Sequence, residues 1–356
     1  MTLRAGNKLQ SRKYFSGEKQ KKLTFMKRVA VIGFGFIGRI HVMNILKNKD
    51  LELVAIVDRD IDRIVSALHE DTGNFSVGEI RYEDIKGIST YSDYDSCLEK
   101  EKPDAVHICV HTNLHYEFTK KALLKGLHVL VEKPFVLNVE EGEELIRLAR
   151  ERSLMLMVAH VVRFMPPYQK LKKWVDDSTY GKLKFLSLFR FSGVPQWGEW
   201  KEKQKDFGSS GGALFDLVIH DIDFAKFLTG KEPVEIVESK LPGYLSKHDY
   251  INSVWQFDDD MTVKIEGGNI FHAAFPFMSG FLAGFDDVSI TYSTFRSDMI
   301  VVAGNEKVEE IPAGDMGDGY FNEIAYFYDC IEKGEEPLLC TPQSSLETIK
   351  LCYRHV

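Results

Sequence analysis

VAVIGFGFIG, Val29 to Gly38, decides how this chain is read. It opens with Val29, Ala30, Val31 and Ile32, a short apolar run without charge. Such a run is a strand buried on both faces, as in a parallel sheet. Glycines then fall at Gly33, Gly35 and Gly38, with Phe34, Phe36 and Ile37 between them. From Arg39 to Leu46 apolar residues recur at helical spacing. The GxGxxG spacing therefore lies on a strand-to-helix turn, the context in which it carries weight. Gly33 is predicted to make the tight turn, Gly35 to admit a pyrophosphate, and Gly38 to let helix and strand pack closely. The helix N-terminus adds free N–H groups and partial positive charge.

A second buried strand, Leu51 to Val57, ends in Asp58, 20 residues beyond Gly38. An acid there accepts hydrogen bonds from the adenosine ribose and repels a 2′-phosphate, which predicts NAD as cofactor. Arg59 beside it leaves NADP open. The bland alternative is a glycine turn in some other α/β protein. Strand, glycines, helix, strand and acid in register favour the dinucleotide.

Two domains are the default for 356 residues. A hydrophobic content of 44% and a charged content of 28% are those of a globular protein. No apolar run approaches the ~20 residues that span a bilayer, so no membrane partner is expected. The net charge of −8 is uneven: residues 1–28 carry nine Lys or Arg against Glu18 alone. The remainder is near −16, roughly, an acidic body that argues against nucleic acid as partner. Residues 1–25 are expected to be a disordered basic arm, or an extension upstream of a natural start at Met26. Five cysteines without a CxxC pair suit reduced thiols in a cytoplasm, with no disulfide framework and no metal site.

From Met26 the chain alternates strand and helix. Helix Ile61–Glu70 follows the second strand. Phe75–Ser89 is polar and irregular, with a short hairpin as one option. A strand at Thr90–Tyr91 and a helix at Tyr94–Glu99 lead to a buried strand, Ala105–Val110. His111, Thr112, Asn113 and His115 sit at its C-terminal end. Helix Tyr116–Lys125, strand His128–Val131, helix Glu140–Arg152 and strand Leu154–Ala159 complete the pattern, with Glu132-Lys133-Pro134 closing one strand. This predicts a doubly wound parallel sheet, whose ligands bind beyond the C-terminal strand ends. Residues 26–150 are taken as this domain and 151–356 as a second, α+β domain. There the expected strands are Leu183–Phe191, Val234–Ser239, Ser253–Phe257, Met261–Glu266, Val288–Tyr292 and Met299–Val302. Trp255, Phe257, Val263 and Ile265 alternate with polar residues, as one-face-buried antiparallel strands do. The uncovered face of such an open sheet predicts a homodimer or homotetramer. Helices Tyr320–Lys333 and Ser344–Tyr353 close the chain.

Ser209, Ser210, Gly211 and Gly212 make a natural helix start. Asp216, His220 and Asp223 then fall at i, i+4 and i+7, on one predicted helical face. Two carboxylates and an imidazole there suit proton transfer. A solvated face or a metal site using Asp216 and His220 are the alternatives. Lys133 at a strand end could hydrogen-bond a substrate hydroxyl; taken alone, the surface-lysine reading is preferred.

Together, GFGFIGRIHVMNI, VDRD, CVHTNLHYE, VEKP and GGALFDLVIHDID resemble the Gfo/Idh/MocA family in order and spacing, from about Lys27 to the C-terminus. These are nucleotide-dependent dehydrogenases similar to glucose–fructose oxidoreductase and inositol dehydrogenase. The resemblance implies a Rossmann domain, an open-sheet α+β domain and an active site between them. It makes Lys133 the catalytic lysine, His220 the proton acceptor and Asp216 the residue that positions substrate and imidazole. It implies a cis Lys133–Pro134 peptide and puts His115 near the nicotinamide, with His41 and Asn44 structural. The strand-end rule adds His111, Thr112, Asn113, His115, Glu132 and Lys133 to the expected cofactor contacts. Trp197, Trp200, Arg163 and His111 are candidate sugar contacts, since an aromatic plane can stack on a sugar ring; core anchors are the equal alternative for the two tryptophans. Two departures, His111-Thr112-Asn113 for TPN and Val161-Val162-Arg163-Phe164 for Asn-Arg-Arg-Phe, bar carrying over any one member's substrate.

The expected activity is hydride transfer between a secondary alcohol of a sugar, cyclitol or related polyol and NAD, without metal. The alternatives are a glycosidase or lyase that oxidises its substrate transiently, and a ligand-sensing relative without chemistry.

Overall fold

The six-stranded sheet grows outward from the glycine turn. A computed structural model describes residues 26–68, 79–194, 212–243, 248–296 and 298–356. The expected basic arm, Ser209 to Gly211, Trp197 and Trp200 lie outside the described residues. The chain runs β1 (Lys27–Ile32), α1 (Phe36–Lys47), β2 (Leu51–Val57), α2 (Ile61–Ala67), α3 (Tyr82–Ile85), β3 (Ser89–Tyr91), α4 (Tyr94–Glu101) and β4 (Ala105–Ile108). It continues through α5 (His115–Leu124), β5 (His128–Glu132), α6 (Val139–Glu151) and β6 (Leu156–Ala159). The strands lie in the order β3-β2-β1-β4-β5-β6, all parallel. The order reverses between β1 and β4, which opens a crevice at their C-terminal ends. Val29 to Ile32 and Val129 to Val131 are buried, as strands covered by helices on both faces must be.

The expected strand at Leu154–Ala159 is β6, which pairs with β5 from Val129↔Leu156 to Glu132↔Ala159. One expectation is corrected here. In the described part of Phe75–Ser89, α3 replaces the hairpin option, because the Asp84 carboxylate bonds back to the Arg81 N–H and guanidinium.

The second part contains α7 (Pro166–Asp176), β7 (Leu183–Gly193), a π-helical turn at Leu214–Val218, α8 (Ile219–Thr229), β8 (Glu235–Leu241), β9 (Tyr250–Gln256) and β10 (Thr262–Phe271). After it come β11 (Met278–Phe285), β12 (Ser289–Ser293), β13 (Met299–Ala303), β14 (Val308–Pro312), α9 (Asp318–Lys333) and α10 (Pro342–Tyr353). The eight strands are ordered β14-β13-β12-β11-β7-β10-β9-β8. All pairs are antiparallel except β7 with β10. Inward residues such as Leu186, Leu188, Trp255, Val263 and Ile265 pack under Tyr168 and Leu171 of α7 and Ile222 and Phe224 of α8. The pattern missed β11, β14 and α7. In β11, Gly280 and Gly284 interrupt the apolar run, and a Cβ at Gly280 would strike the Tyr292 carbonyl oxygen.

The last helices return to the first sheet. Ile324, Phe327 and Tyr328 of α9 share a core with Val29, Val42 and Ile45, and Leu346 of α10 packs with Val136 and Leu145.

Candidate active site

Each glycine of the turn has its own physical reason. Gly33 is left-handed at φ +97°, and a Cβ there would strike the Cys109 carbonyl oxygen. A Cβ at Gly38 would lie 2.0 Å from the Gly33 carbonyl oxygen, so helix and turn touch only because it is absent. A Cβ at Gly35 would meet nothing within 4 Å. The open space lies at the N-terminus of α1, where backbone N–H groups suit a phosphate. Phe34 is buried, while Phe36 and Ile37 are partly buried against the core.

Asp58 is half-buried at the end of β2. Its Oδ2 accepts the Phe34 N–H at 2.8 Å and its Oδ1 accepts the Asp60 N–H at 3.1 Å. Arg59 beside it is exposed. Across the switch point, Thr112–Leu114 forms a 3-10 turn after β4, with His111 and Asn113 exposed and Thr112 partly so.

Lys133 and Asp216 meet between the two sheets. The Lys133 Nζ donates to the Asp216 carbonyl oxygen at 2.6 Å and to its Oδ1 at 3.0 Å. Side-chain exposures of 15% and 37% leave the pair open to a ligand. The Lys133–Pro134 peptide is cis. Glu132 accepts the Lys133 backbone N–H through Oε2 at 3.1 Å.

His220 is half-buried on α8, and its Nδ1 has no hydrogen-bond partner among the described residues. Burial, and then the positive charges of Lys133 and Arg190, hold its imidazole well below the ordinary range. It is therefore an uncharged base at neutral pH. Its helix is fixed by two ion pairs. On one side Asp221 receives Arg190 Nε at 2.9 Å and Nη2 at 3.1 Å. On the other, Asp223 receives Arg163 Nε at 2.8 Å and Nη2 at 2.5 Å. Burial raises the Asp221 carboxyl. At Asp223 burial acts upward, but Arg163, His160 and Thr348 together outweigh it and lower the carboxyl.

Two expectations are corrected. Asp216 itself lies in the π-turn at Leu214–Val218, one turn before His220. Asp216 reaches Lys133, whereas Asp223 is fully buried against Arg163 and Thr348. Arg163 is no substrate contact, since its remaining nitrogen donates to the Leu339 carbonyl and Ser344 Oγ. His115 is buried, with Nδ1 2.7 Å from the Pro134 carbonyl oxygen and Nε2 3.1 Å from that of Val110. It ties the Lys133–Pro134 loop to the end of β4 instead of offering a nitrogen to a ligand.

Sequence reasoning missed two buried groups nearby. His160 follows β6, and the β5–β6 register sets it beside Lys133. Burial pushes its imidazole down to about 4. Glu323 on α9 is fully buried with neither carboxyl oxygen hydrogen-bonded among the described residues. Burial, then Glu132 and Asp223, raise it well above the carboxylate range. Nothing in the amphipathic pattern of α9 distinguishes Glu323. No group of three or more metal-ligating side chains occurs among the described residues.

Residues 27–160 match the family described as an oxidoreductase family with an NAD-binding Rossmann fold, and residues 168–277 match that family's C-terminal domain. D-glucoside 3-dehydrogenase of Escherichia coli is 32% identical over 215 residues, 60% of this chain and 56% of that protein. The chain thus spans little more than half the length of such relatives. Inositol 2-dehydrogenase of Rhizobium meliloti is 26% identical over 87% of this chain and 90% of its own. In structure, UDP-N-acetylglucosamine 3-dehydrogenase of Acidithiobacillus ferrooxidans superposes with a TM-score of 0.75 at 21% identity, over 93% of this chain and 96% of that one. That likeness is one of fold.

Proposed function

The chain belongs to the Gfo/Idh/MocA oxidoreductase family, and from that premise we propose that it is a nicotinamide-dependent dehydrogenase acting on a secondary alcohol of a sugar, cyclitol or related polyol. One observation carries the reading. The Lys133 ammonium, fixed by Asp216, and the uncharged His220 flank the C-terminal edge of the sheet that bears the glycine turn. A cation that stabilises an oxyanion and a neutral base are what oxidation of an alcohol requires from the protein.

The residues fit a dinucleotide. Gly33 to Gly38 and the first turn of α1 would hold the pyrophosphate, Asp58 the adenosine ribose, and the His111–Asn113 turn the far side of the crevice. The bound nicotinamide would supply the hydride acceptor. His220 takes the proton of the substrate hydroxyl. Lys133 donates hydrogen bonds to that oxygen as it gains negative charge. Asp216 keeps the ammonium in place through its carbonyl and carboxylate.

The outward face of the eight-stranded sheet suits a second copy. Val237, Leu241 and Leu282 are 52%, 51% and 44% exposed there. Phe191 lies 5.5 Å, ring to ring, from Phe271. A homodimer or homotetramer through this face is part of the reading, and sedimentation would show it. A cytoplasmic location is supported by five free, buried thiols, and among the described residues no helix is long and apolar enough to cross a membrane.

The test is formation of reduced cofactor with NAD+ and with NADP+ across aldoses, inositols and sugar acids. Turnover on one substrate class is expected. Substrate conversion without net reduced cofactor would instead indicate transient oxidation. Failure to bind either nucleotide would overturn the proposal.

A further inference from the structure

A row of four buried side chains runs inward from the loop that carries Lys133. Glu132 Oε1 lies 2.9 Å from Nε2 of His41 on α1. Nδ1 of His41 lies 2.8 Å from Nδ1 of His107 on β4. Nε2 of His107 lies 3.0 Å from the hydroxyl of Tyr328 on α9. Both histidines are fully buried, and Glu132 and Tyr328 are 6% exposed. The His41 and His107 rings meet edge to face, with planes at 86°.

Proton counting gives the row a direction. Two imidazoles that meet Nδ1 to Nδ1 hold one proton between them. Burial, then His41, hold His107 well below its ordinary range, so it is uncharged. With one proton on each ring and Glu132 as acceptor, one arrangement satisfies every atom. The Tyr328 hydroxyl donates to His107, His107 donates to His41, and His41 donates to Glu132. All three donors then point toward the carboxylate whose other oxygen holds the Lys133 N–H at 3.1 Å. A buried polar row of this kind stabilises less than well-packed apolar side chains of the same volume, but it fixes geometry.

We propose that His41 is a positioning residue, acting through Glu132 to fix the backbone from which the Lys133 ammonium reaches the site. His107 and Tyr328 complete the row by fixing the tautomer of His41. The proposal rests on the dehydrogenase reading for its kinetic test. A displacement of about 1 Å at a reacting group can lower turnover by ~10²-fold.

The experiment compares His41→Leu, His41→Gln and Tyr328→Phe with the unaltered protein. It records melting temperature, NAD affinity by calorimetry, kcat and KM. His41→Leu is expected to lower kcat roughly ten- to hundredfold, with KM and NAD affinity within about twofold. His41→Gln keeps an N–H for Glu132 and is expected to restore kcat to within about threefold. A folded His41→Leu protein with unchanged kcat would overturn the proposal. So would a His41→Gln protein as slow as His41→Leu, because an amide holds position but cannot pass a proton, and the row would then be a relay. Should His41→Leu not fold, Tyr328→Phe decides: kcat lowered severalfold at unchanged KM supports the proposal, and unchanged kcat overturns it. If the unaltered protein oxidises no sugar or polyol, the dehydrogenase reading fails by itself. Positioning is then read from the rate at which pyridoxal phosphate and borohydride label Lys133, followed by peptide mass spectrometry. A Tyr328→Phe or His41→Leu rate that differs severalfold from the unaltered protein supports the proposal, and an identical rate overturns it.

Discussion

The Asp58 carboxylate accepts the backbone N–H of Phe34 at 2.8 Å, so the acid at the end of one strand braces the glycine turn at the end of its neighbour. Removing it takes away the brace of the turn and, on the dehydrogenase proposal, the partner of the adenosine ribose. Hydrogen bonds to a charged group contribute about 1.5–3 kcal/mol. Asp58→Ala is therefore expected to weaken NAD binding roughly ten- to hundredfold and to narrow the gap between NAD and NADP. Calorimetry with both nucleotides checks this, and unchanged NAD affinity would remove Asp58 from the site.

His220→Gln is expected to lower kcat by about 10²–10⁴-fold, as loss of a positioned base does. The depressed imidazole sets the pH dependence: the base loses activity only on protonation, so the acid limb of kcat lies below the ordinary value of 6.5. Lys133 contributes to that depression. Lys133→Met is expected to move the limb upward, toward 6.5, while lowering kcat by roughly 10²–10³-fold. Rate profiles of both proteins from pH 5 to 9 are the measurement.

Arg163→Met leaves Asp223 buried without its fork of hydrogen bonds. Breaking a buried pair in this way destabilises by about 3–5 kcal/mol. Urea unfolding should show that loss. Normal stability with a raised substrate KM would return Arg163 to the list of substrate contacts.

Glu323 gives a stability effect of opposite sign. Its folded carboxyl titrates well above its unfolded one, so the native state is favoured at low pH and loses stability as pH rises above the ordinary carboxyl range. Glu323→Gln removes that linkage. The melting temperature is expected to rise by roughly 2–5 °C at pH 8 and by less at pH 5. An equal change at both pH values would show that the carboxyl is not held protonated.

The glycine turn, the acid at Asp58 and the strand ends at His111 and Lys133 were legible because each is a local event: a strand, a turn and a helix start within a few residues. Asp216 and His220 were legible as residue types, but not as a geometry. Asp216 lies inside the π-turn at Leu214–Val218, which has no sequence signature. Arg163 was misread because its partner lies 60 residues away, and a buried arginine looks no different in sequence from an exposed one. His107 carried a usable signal, a polar residue inside AVHICV, a strand otherwise apolar throughout. Such a residue must have a partner; the sequence could not name Tyr328, 221 residues on. Strand β11 was hidden by its glycines, of which Gly280 allows the close approach of β12 at Tyr292.

Helices α9 and α10 pack their apolar faces into the sheet that begins with Lys27. During synthesis, that sheet emerges from the ribosome long before the segments that cover it. Val29, Val42 and Leu145 await partners that are translated only after about three hundred further residues at one end of the core and two hundred at the other. Until those helices arrive, the nascent nucleotide-binding half exposes the apolar surface they cover. A chain stopped before residue 318 would lack Ile324 and Phe327 from the core of the first sheet and Ile349 and Leu351 from that of the second.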